Sequence, residues 1–143
     1  MTVEEKHAWS MAVVSVVMCA VYLVIVLTSV DGGRLVDVPY VVPLLWTVGA
    51  AIVLTITVAI ALNITAAVRE PKGRLKDQRD LEIGRFGDHI GQSFVVIGGV
   101  TALILAMAEA NHFWIANAIY LGFTLSAILG SIAKIAAYRW GFQ

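Results

Sequence analysis

Charged side chains are scarce in this chain, and four long stretches contain none. Asp, Glu, Lys and Arg make up 14% of its 143 residues, against about 25% in soluble domains. The uncharged stretches are Ala8–Val30, Val38–Val68, Ile90–Ala108 and Ala110–Ala133. Each can form a helix that crosses a hydrocarbon core of about 30 Å, which takes about 20 residues. These stretches occupy most of the chain, so no soluble catalytic domain can be present.

Cysteine and proline are also scarce. Cys19 is the only cysteine, which excludes an intrachain disulfide. Pro39 and Pro43 stand at the start of the second uncharged stretch, and Pro71 follows its end. Proline is tolerated in the first turn of a helix but not in its interior. We therefore expect the second helix to begin near Pro43 and to end before Pro71.

The uncharged stretches predict the fold class. Lipid offers no hydrogen-bond partner to the backbone, so such stretches cross a membrane only as helices. The sequence predicts an all-α integral membrane protein, a single domain of residues 1–143, whose four transmembrane helices form two antiparallel hairpins. The predicted spans are about 8–30, 43–68, 90–108 and 112–137.

The polar segment 69–89 separates the second and third spans. Ile83, Phe86 and Ile90 recur in it at helical spacing, with charged residues largely on the other faces. This pattern predicts a short cytoplasmic amphipathic helix before the third span, or a cytoplasmic extension of that span. Its basic side chains can meet the anionic headgroups of membrane lipids.

The basic residues predict the orientation. By this topology nine of the ten Lys and Arg residues lie on one side of the membrane, and only Arg34 lies on the other. Positive charge is enriched in cytoplasmic loops. Both termini and the segment 69–89 should therefore be cytoplasmic.

Catalytic and metal-binding patterns are missing. The sequence has no nucleophile elbow, phosphate loop or His-Glu-x-x-His motif, and no pair of histidines in mid-span could ligate haem. Five acidic and histidine side chains could converge on a metal at the inner surface: His7, Asp77, Asp80, Asp88 and His89. Their spacing favours solvated or salt-bridged surface groups instead. We expect no enzyme, no catalytic residue, no cofactor, no metal and no direct binding to nucleic acid.

Small residues at helix-packing spacing are the clearest pattern present. The fourth span has Gly122, Ser126 and Gly130 at every fourth position, continued by Lys134. The second span has a similar face, formed by Ala51, Thr55, Ala59, Asn63 and Ala67. The face of the third span and of the segment before it contains Gly84, Gly87, Gly91, Gly98 and Ala102. Small faces let helices approach closely in lipid, where no hydrophobic effect drives them together. They predict packing inside the four-helix bundle, and one of them could instead form a homodimer interface.

One stripe extends this pattern into the cytoplasm. Asp77, Asp80, Gly84, Gly87 and Gly91 share a helical face. We predict that the stripe docks on another helix, with Lys134 or Arg139 as the charge partner of Asp80. Lys134 could also snorkel to the membrane surface or pair with Asp88. The alternative is a flexible, partly unwound entry to the third span.

Asn63 is the polar group that stands out inside the apolar stretches. With Thr55 on the same helix and Lys134 on the fourth, it could form an intramembrane polar site. Amides inside membranes usually hydrogen-bond between helices, and this structural role is the favoured interpretation. No acidic residue lies near the bilayer centre, which counts against proton-coupled transport.

A short motif carries a resemblance to a known family. The run from Lys76 to Ile83, followed by Gly84, Gly87 and Gly91, resembles a family of small uncharacterised prokaryotic four-helix membrane proteins, whose cytoplasmic loop carries an Asp-Glu-Arg-Asp-x-x-Ile signature. Here Gln78 stands where the family has Glu. The resemblance implies a prokaryotic plasma (inner) membrane and no established activity. Some family members are encoded beside small transcription regulators, so it also suggests a regulatory protein partner.

Together these patterns favour a non-enzymatic membrane protein. It would act as a scaffold or regulatory subunit, through helix–helix association and its cytoplasmic segment, as a homodimer. The alternative is an oligomeric transporter or channel for ions or small molecules, lined by Asn63, Thr55, Lys134 and Glu109.

Overall fold

A computed structural model of the chain describes residues 3–30, 32–69 and 78–141. All the regular structure in these residues is helical. The four α-helices are α1 (Val3–Thr28), α2 (Val41–Arg69), α3 (Gln78–Met107) and α4 (His112–Trp140), and a short 3-10 helix covers Leu35–Asp37. The predicted all-α class is confirmed for the described residues.

Each α-helix is long and apolar enough to cross a membrane. The helices contain 26, 29, 30 and 29 residues, and at about 1.5 Å per residue they exceed a hydrocarbon core of about 30 Å. Four candidate spans are found in the described residues, so the prediction of a multi-pass membrane protein is confirmed. Pro43 lies in the first turn of α2, where its missing N–H removes no helical hydrogen bond.

The segment before the third span continues directly into it. α3 is one unbroken helix from Gln78 to Met107, so residues 78–89 form its first turns and not a separate helix lying on the membrane surface. This is the second of the two arrangements that the sequence allowed. The predicted helix break at Glu70–Gly73, and Asp77, lie outside the described residues.

α4 lies at the centre of the arrangement. It packs against α3 along one side and against α1 on another, while α2 packs mainly against α1. The packed core contains Tyr22 and Val26 of α1 and Phe113 and Tyr120 of α4, together with Val38 from the connection before α2. α2 is therefore the helix least enclosed by the rest of the chain.

The two ends of the molecule differ in chemistry. The terminal end, where the start of α1 meets the end of α4, carries charged pairs such as Glu5 with Arg139. The turn end, which holds the connections 29–40 and 108–111, carries the aromatic core. The names terminal end and turn end are used for these two regions below.

The turn between α3 and α4 contains only four residues, 108–111. Glu109 adopts a left-handed conformation with φ 53°. Its N–H bonds to the carbonyl of Ala106 at 3.1 Å, and the Ala110 N–H bonds to the carbonyl of Leu105 at 2.9 Å. These two bonds are those of a Schellman motif, which closes a helix C-terminus. Asn111 then caps α4, because its side-chain oxygen accepts a hydrogen bond from the Phe113 N–H at 2.9 Å.

Candidate functional site

The small faces of α3 and α4 lie against each other. A Cβ atom added at Gly98 would stand 2.7 Å from the Cα of Gly122, and one added at Gly122 would stand 2.9 Å from the Cα of Gly98. Real Cβ atoms essentially never come this close to another backbone. The absence of side chains at Gly98 and Gly122 is therefore what lets the two backbones approach.

The same contact continues toward the terminal end. A Cβ atom at Gly87 would stand 2.7 Å from the Gly130 carbonyl oxygen and would also meet the side chain of Lys134. At Gly91 it would stand 3.0 Å from the Ser126 carbonyl oxygen. Of the three glycines in the predicted docking stripe, Gly87 and Gly91 thus contact α4.

Gly84 does not take part in this contact. A Cβ atom there would have no atom of another described helix within 4 Å. Ala102, further along α3, is buried. The close backbone approach of α3 to α4 therefore runs from Gly87 toward the turn end and does not include Gly84.

Near this interface Lys134 has one of the partners that the sequence allowed, whereas Asp80 has a partner that was not predicted. Asp80 accepts a hydrogen bond from the Tyr138 hydroxyl at 2.9 Å, whereas the predicted partner was Lys134 or Arg139. The Nζ atom of Lys134 lies 2.7 Å from the Asp88 carboxylate instead. The antiparallel register explains the difference, because it sets Lys134 level with Gly87 and Asp88 and brings Tyr138, one turn further along α4, within reach of Asp80.

Arg139 joins α4 to α1 at the terminal end. Its Nε atom lies 3.9 Å from a carboxylate oxygen of Glu5, and its guanidinium carbon lies 5.6 Å from the centre of the Trp9 ring. Glu5 is buried, which is unusual for a carboxylate unless it is paired. Arg139 therefore contacts both the acid and the aromatic ring of the first two turns of α1.

A polar contact inside the span region at the turn end was missed from the sequence. The hydroxyl of Tyr22, which is 1% exposed, donates a hydrogen bond to the Asn117 side-chain oxygen at 2.7 Å. The Asn117 amide nitrogen donates to the Phe113 carbonyl at 2.8 Å. The Tyr22 and Tyr120 rings pack against each other at a tilt of 56°, with their centres 4.7 Å apart. The signal was available, since Asn117 is an amide within an uncharged stretch just as Asn63 is.

Asn63 lies in a different environment. Its side chain is exposed on α2, and it makes no hydrogen bond to any residue that the structure describes. Thr57 and Thr65 are also exposed on α2, but their hydroxyls donate to the carbonyls of Val53 and Leu62 in the same helix. Of these three polar side chains of α2, the amide alone is left without a partner in the described chain.

The residues of the predicted intramembrane polar site are not brought together. Thr55 is half-buried on α2, Asn63 is exposed on the same helix, and Lys134 is paired with Asp88 on α3. Glu109, the fourth residue proposed to line a pathway, lies at the turn end. A continuous pathway through these groups would have to form between copies of the chain.

The described residues hold no group of three or more His, Cys, Asp or Glu side chains arranged to bind a metal ion. The acidic groups considered for such a site have other contacts, as Asp80 binds Tyr138 and Asp88 binds Lys134. These side chains can fix one helix against another, and this is the chemistry that their geometry supports. No protein-family model, curated protein or solved structure matches the chain.

Proposed function

We propose that this chain is a non-enzymatic integral membrane protein that acts by helix–helix association, as a homodimeric scaffold or regulatory subunit. The observation that carries the proposal is the surface of α2. Although the helix is long enough to cross a membrane, none of the residues in its most apolar 18-residue window is buried within the chain. A helix left this open has most of its surface available for a partner.

The use of the other small faces supports the proposal. The glycines of α3 and the Gly122, Ser126 and Gly130 face of α4 contact each other, so these faces are occupied within one copy. On α2, by contrast, Asn63 and Ala67 remain exposed, as does Gly49, although the other members of the predicted small face of this helix are half-buried. Association of helices in lipid depends on close packing and hydrogen bonds between them, and α2 has residues of both kinds still unoccupied.

The proposal includes an orientation and a location. The two hairpins, α1 with α2 and α3 with α4, would hold both termini and segment 69–89 in the cytoplasm, as the distribution of Lys and Arg favours. The motif resemblance suggests a prokaryotic plasma membrane. Segment 69–89 would then meet anionic headgroups and a regulatory protein partner.

Co-purification tests the proposal directly. Two full-length copies with different tags are expressed together, extracted in a mild detergent, and captured through one tag. We expect the second copy to be recovered, and a mixture of separately extracted copies controls for exchange in the detergent. Absence both of self-association and of any partner specific to the chain would overturn the proposal.

Flux measurements address the alternative class of function. The purified chain is reconstituted into liposomes, and the release of ions and small solutes is compared with that of protein-free liposomes. We expect no difference. Flux that is lost in Asn63→Leu while self-association persists would support a transporter or channel instead.

A further inference from the structure

One exposed line on α2 combines apolar and small residues with a single amide. Gly49, Ile56 and Asn63 are spaced seven residues apart, and all three are exposed. Ile52 and Ile60 flank the line, and both are exposed as well. The side of α2 that packs on α1 is a different one and includes Val48, Ala51 and Leu62. A seven-residue repeat is the pattern that keeps two helices in contact with a left-handed crossing.

Asn63 lies within the hydrocarbon-spanning part of α2, less than one turn from its edge. It precedes Arg69, the last residue of α2, by six positions, or about 9 Å along the helix axis. Trp46 is 74% exposed near the other end of α2, where an interfacial tryptophan is expected. Counted from Trp46, about 20 residues of hydrocarbon-spanning helix end about two or three residues past Asn63. Helical side chains tilt toward the helix N-terminus, so the short Asn63 side chain is directed away from this edge and ends among lipid tails unless another helix covers it.

The contrast with Asn117 shows what such an amide needs. Asn117 lies at a comparable distance from the end of its own helix, and both its oxygen and its nitrogen are hydrogen-bonded within the chain. Asn63 has neither bond among the described residues. A polar group without a hydrogen-bond partner in an apolar environment is costly. The exposed amide of Asn63 therefore indicates a partner that supplies both a donor and an acceptor at this depth.

We propose that this partner is a second copy of the chain, with the Gly49–Ile56–Asn63 line of α2 at the interface and the two Asn63 amides paired across a two-fold axis. Copies inserted in one orientation run parallel, so Asn63 meets Asn63 of the partner at the same depth. An amide carries both donor and acceptor, so two of them are mutually complementary. The inference rests on the self-association proposed above and assigns its interface.

The pairing would also fix the register of the dimer. A single asparagine in the seam of two parallel helices specifies their alignment and their number, because any other alignment leaves the amides unpaired. The apolar flanks Ile52 and Ile60 can pack in any of several registers, whereas the amides match in one. Lipid tails can cover the isoleucines but offer the amide no hydrogen bond.

Disulfide trapping in native membranes tests the position of the interface. In a Cys19→Ser background, Ile56→Cys places a thiol on the proposed seam while it keeps Asn63. Thr57→Cys is the matched control, since Thr57 is also exposed and lies at nearly the same depth, but about 100° around the helix. We expect mild oxidation to give a disulfide-linked dimer with Ile56→Cys and little with Thr57→Cys. Equal trapping of both, or trapping of Thr57→Cys alone, would overturn the seam.

Replacement of the amide tests its role. Energy transfer between labelled copies in lipid vesicles gives the dimer dissociation constant, which we expect Asn63→Leu to raise about three- to thirty-fold, the range for one or more hydrogen bonds between membrane helices. Ile64→Leu, beside it on another exposed face, should leave the constant unchanged. Asn63→Leu should also lower the yield of the Ile56→Cys disulfide.

The outcomes separate this inference from the proposed function. A wild-type chain that is monomeric in vesicles would overturn both. A wild-type dimer that Asn63→Leu leaves unchanged, or that Ile56→Cys does not trap, would overturn the α2 seam alone and would leave self-association through another surface.

Discussion

Gly98 and Gly84 both lie in α3, but only Gly98 faces the backbone of a neighbouring helix. A methyl group at Gly98 would overlap Gly122, while one at Gly84 would enter open space. We expect Gly98→Ala to lower the free energy of unfolding by about 1–3 kcal/mol, the usual penalty for overpacking. Gly84→Ala should keep or raise it by up to about 1 kcal/mol, since alanine favours the helix.

Thermal unfolding of the two variants in detergent micelles measures this contrast. The pair is matched in substitution and in helix, so the difference between the two reports the contact with α4. Equal stability of both variants would mean that α3 and α4 do not approach closely at Gly98.

Tyr22 and Asn117 form the hydrogen bond that joins α1 to α4 near the turn end. Tyr22→Phe removes the hydroxyl and keeps the ring, which packs against the Tyr120 ring. We expect a loss of about 0.6–1.7 kcal/mol in the free energy of unfolding, an interval that runs from the average to the largest value measured for such bonds inside membranes. A double-mutant cycle with Asn117→Leu isolates the bond, and fully additive losses would show that the two side chains do not interact.

At the scale of single residues, the sequence reveals which side chains are unusual but not their partners. Asn63 and Asn117 are equivalent in the sequence, as each is an amide in an uncharged stretch. One is bonded to Tyr22 of a distant helix and the other is exposed. Their difference depends on how the helices are rotated about their axes, and small or polar residues at regular spacing do not determine that rotation when three helices carry them.

Among the elements, the turn between α3 and α4 is the one whose conformation works against its residue type. Glu109 adopts a left-handed φ of 53°, where a side chain costs about 1–2 kcal/mol and glycine is preferred. Glu109→Gly should therefore raise the free energy of unfolding by about 1 kcal/mol. Glu109→Ala is the control, because it removes the carboxylate but keeps the unfavourable conformation.

Calorimetry in detergent micelles can measure both substitutions. Stabilisation by Glu109→Ala to the same extent as by Glu109→Gly would assign the effect to charge rather than to backbone conformation. A loss of stability in Glu109→Gly would contradict the prediction outright.

The helices themselves were predictable, because length and lack of charge suffice to define a membrane span. α2 starts two residues before Pro43, and α4 extends to Trp140, within a few residues of the predicted limits. The register between α3 and α4 was not predictable in this way. A shift of four residues would keep small residues facing each other, and it was this register that decided that Asp80 meets Tyr138 rather than Lys134.

For the whole molecule, the positions of Lys and Arg predict one orientation in the membrane. A reporter fused after Gln143 and another inserted within Gly32–Leu35 should report opposite compartments, with the first in the cytoplasm. An enzyme reporter that is active only in the cytoplasm, paired with one active only outside it, gives the measurement. The same compartment for both positions would contradict the three spans, α2, α3 and α4, that are assigned between the two sites.

The contact of Arg139 with Glu5 and Trp9 has a consequence for chain order. Because the beginning of α1 and the end of α4 touch each other, a short peptide linker can join these two helix ends, and the chain can be opened between α2 and α3 instead. Such a circular permutant would be synthesised with α3 and α4 first and would keep every helix contact described above. Linker and new ends would all lie on one side of the membrane, so the order in which the hairpins are made is separable from the way they pack.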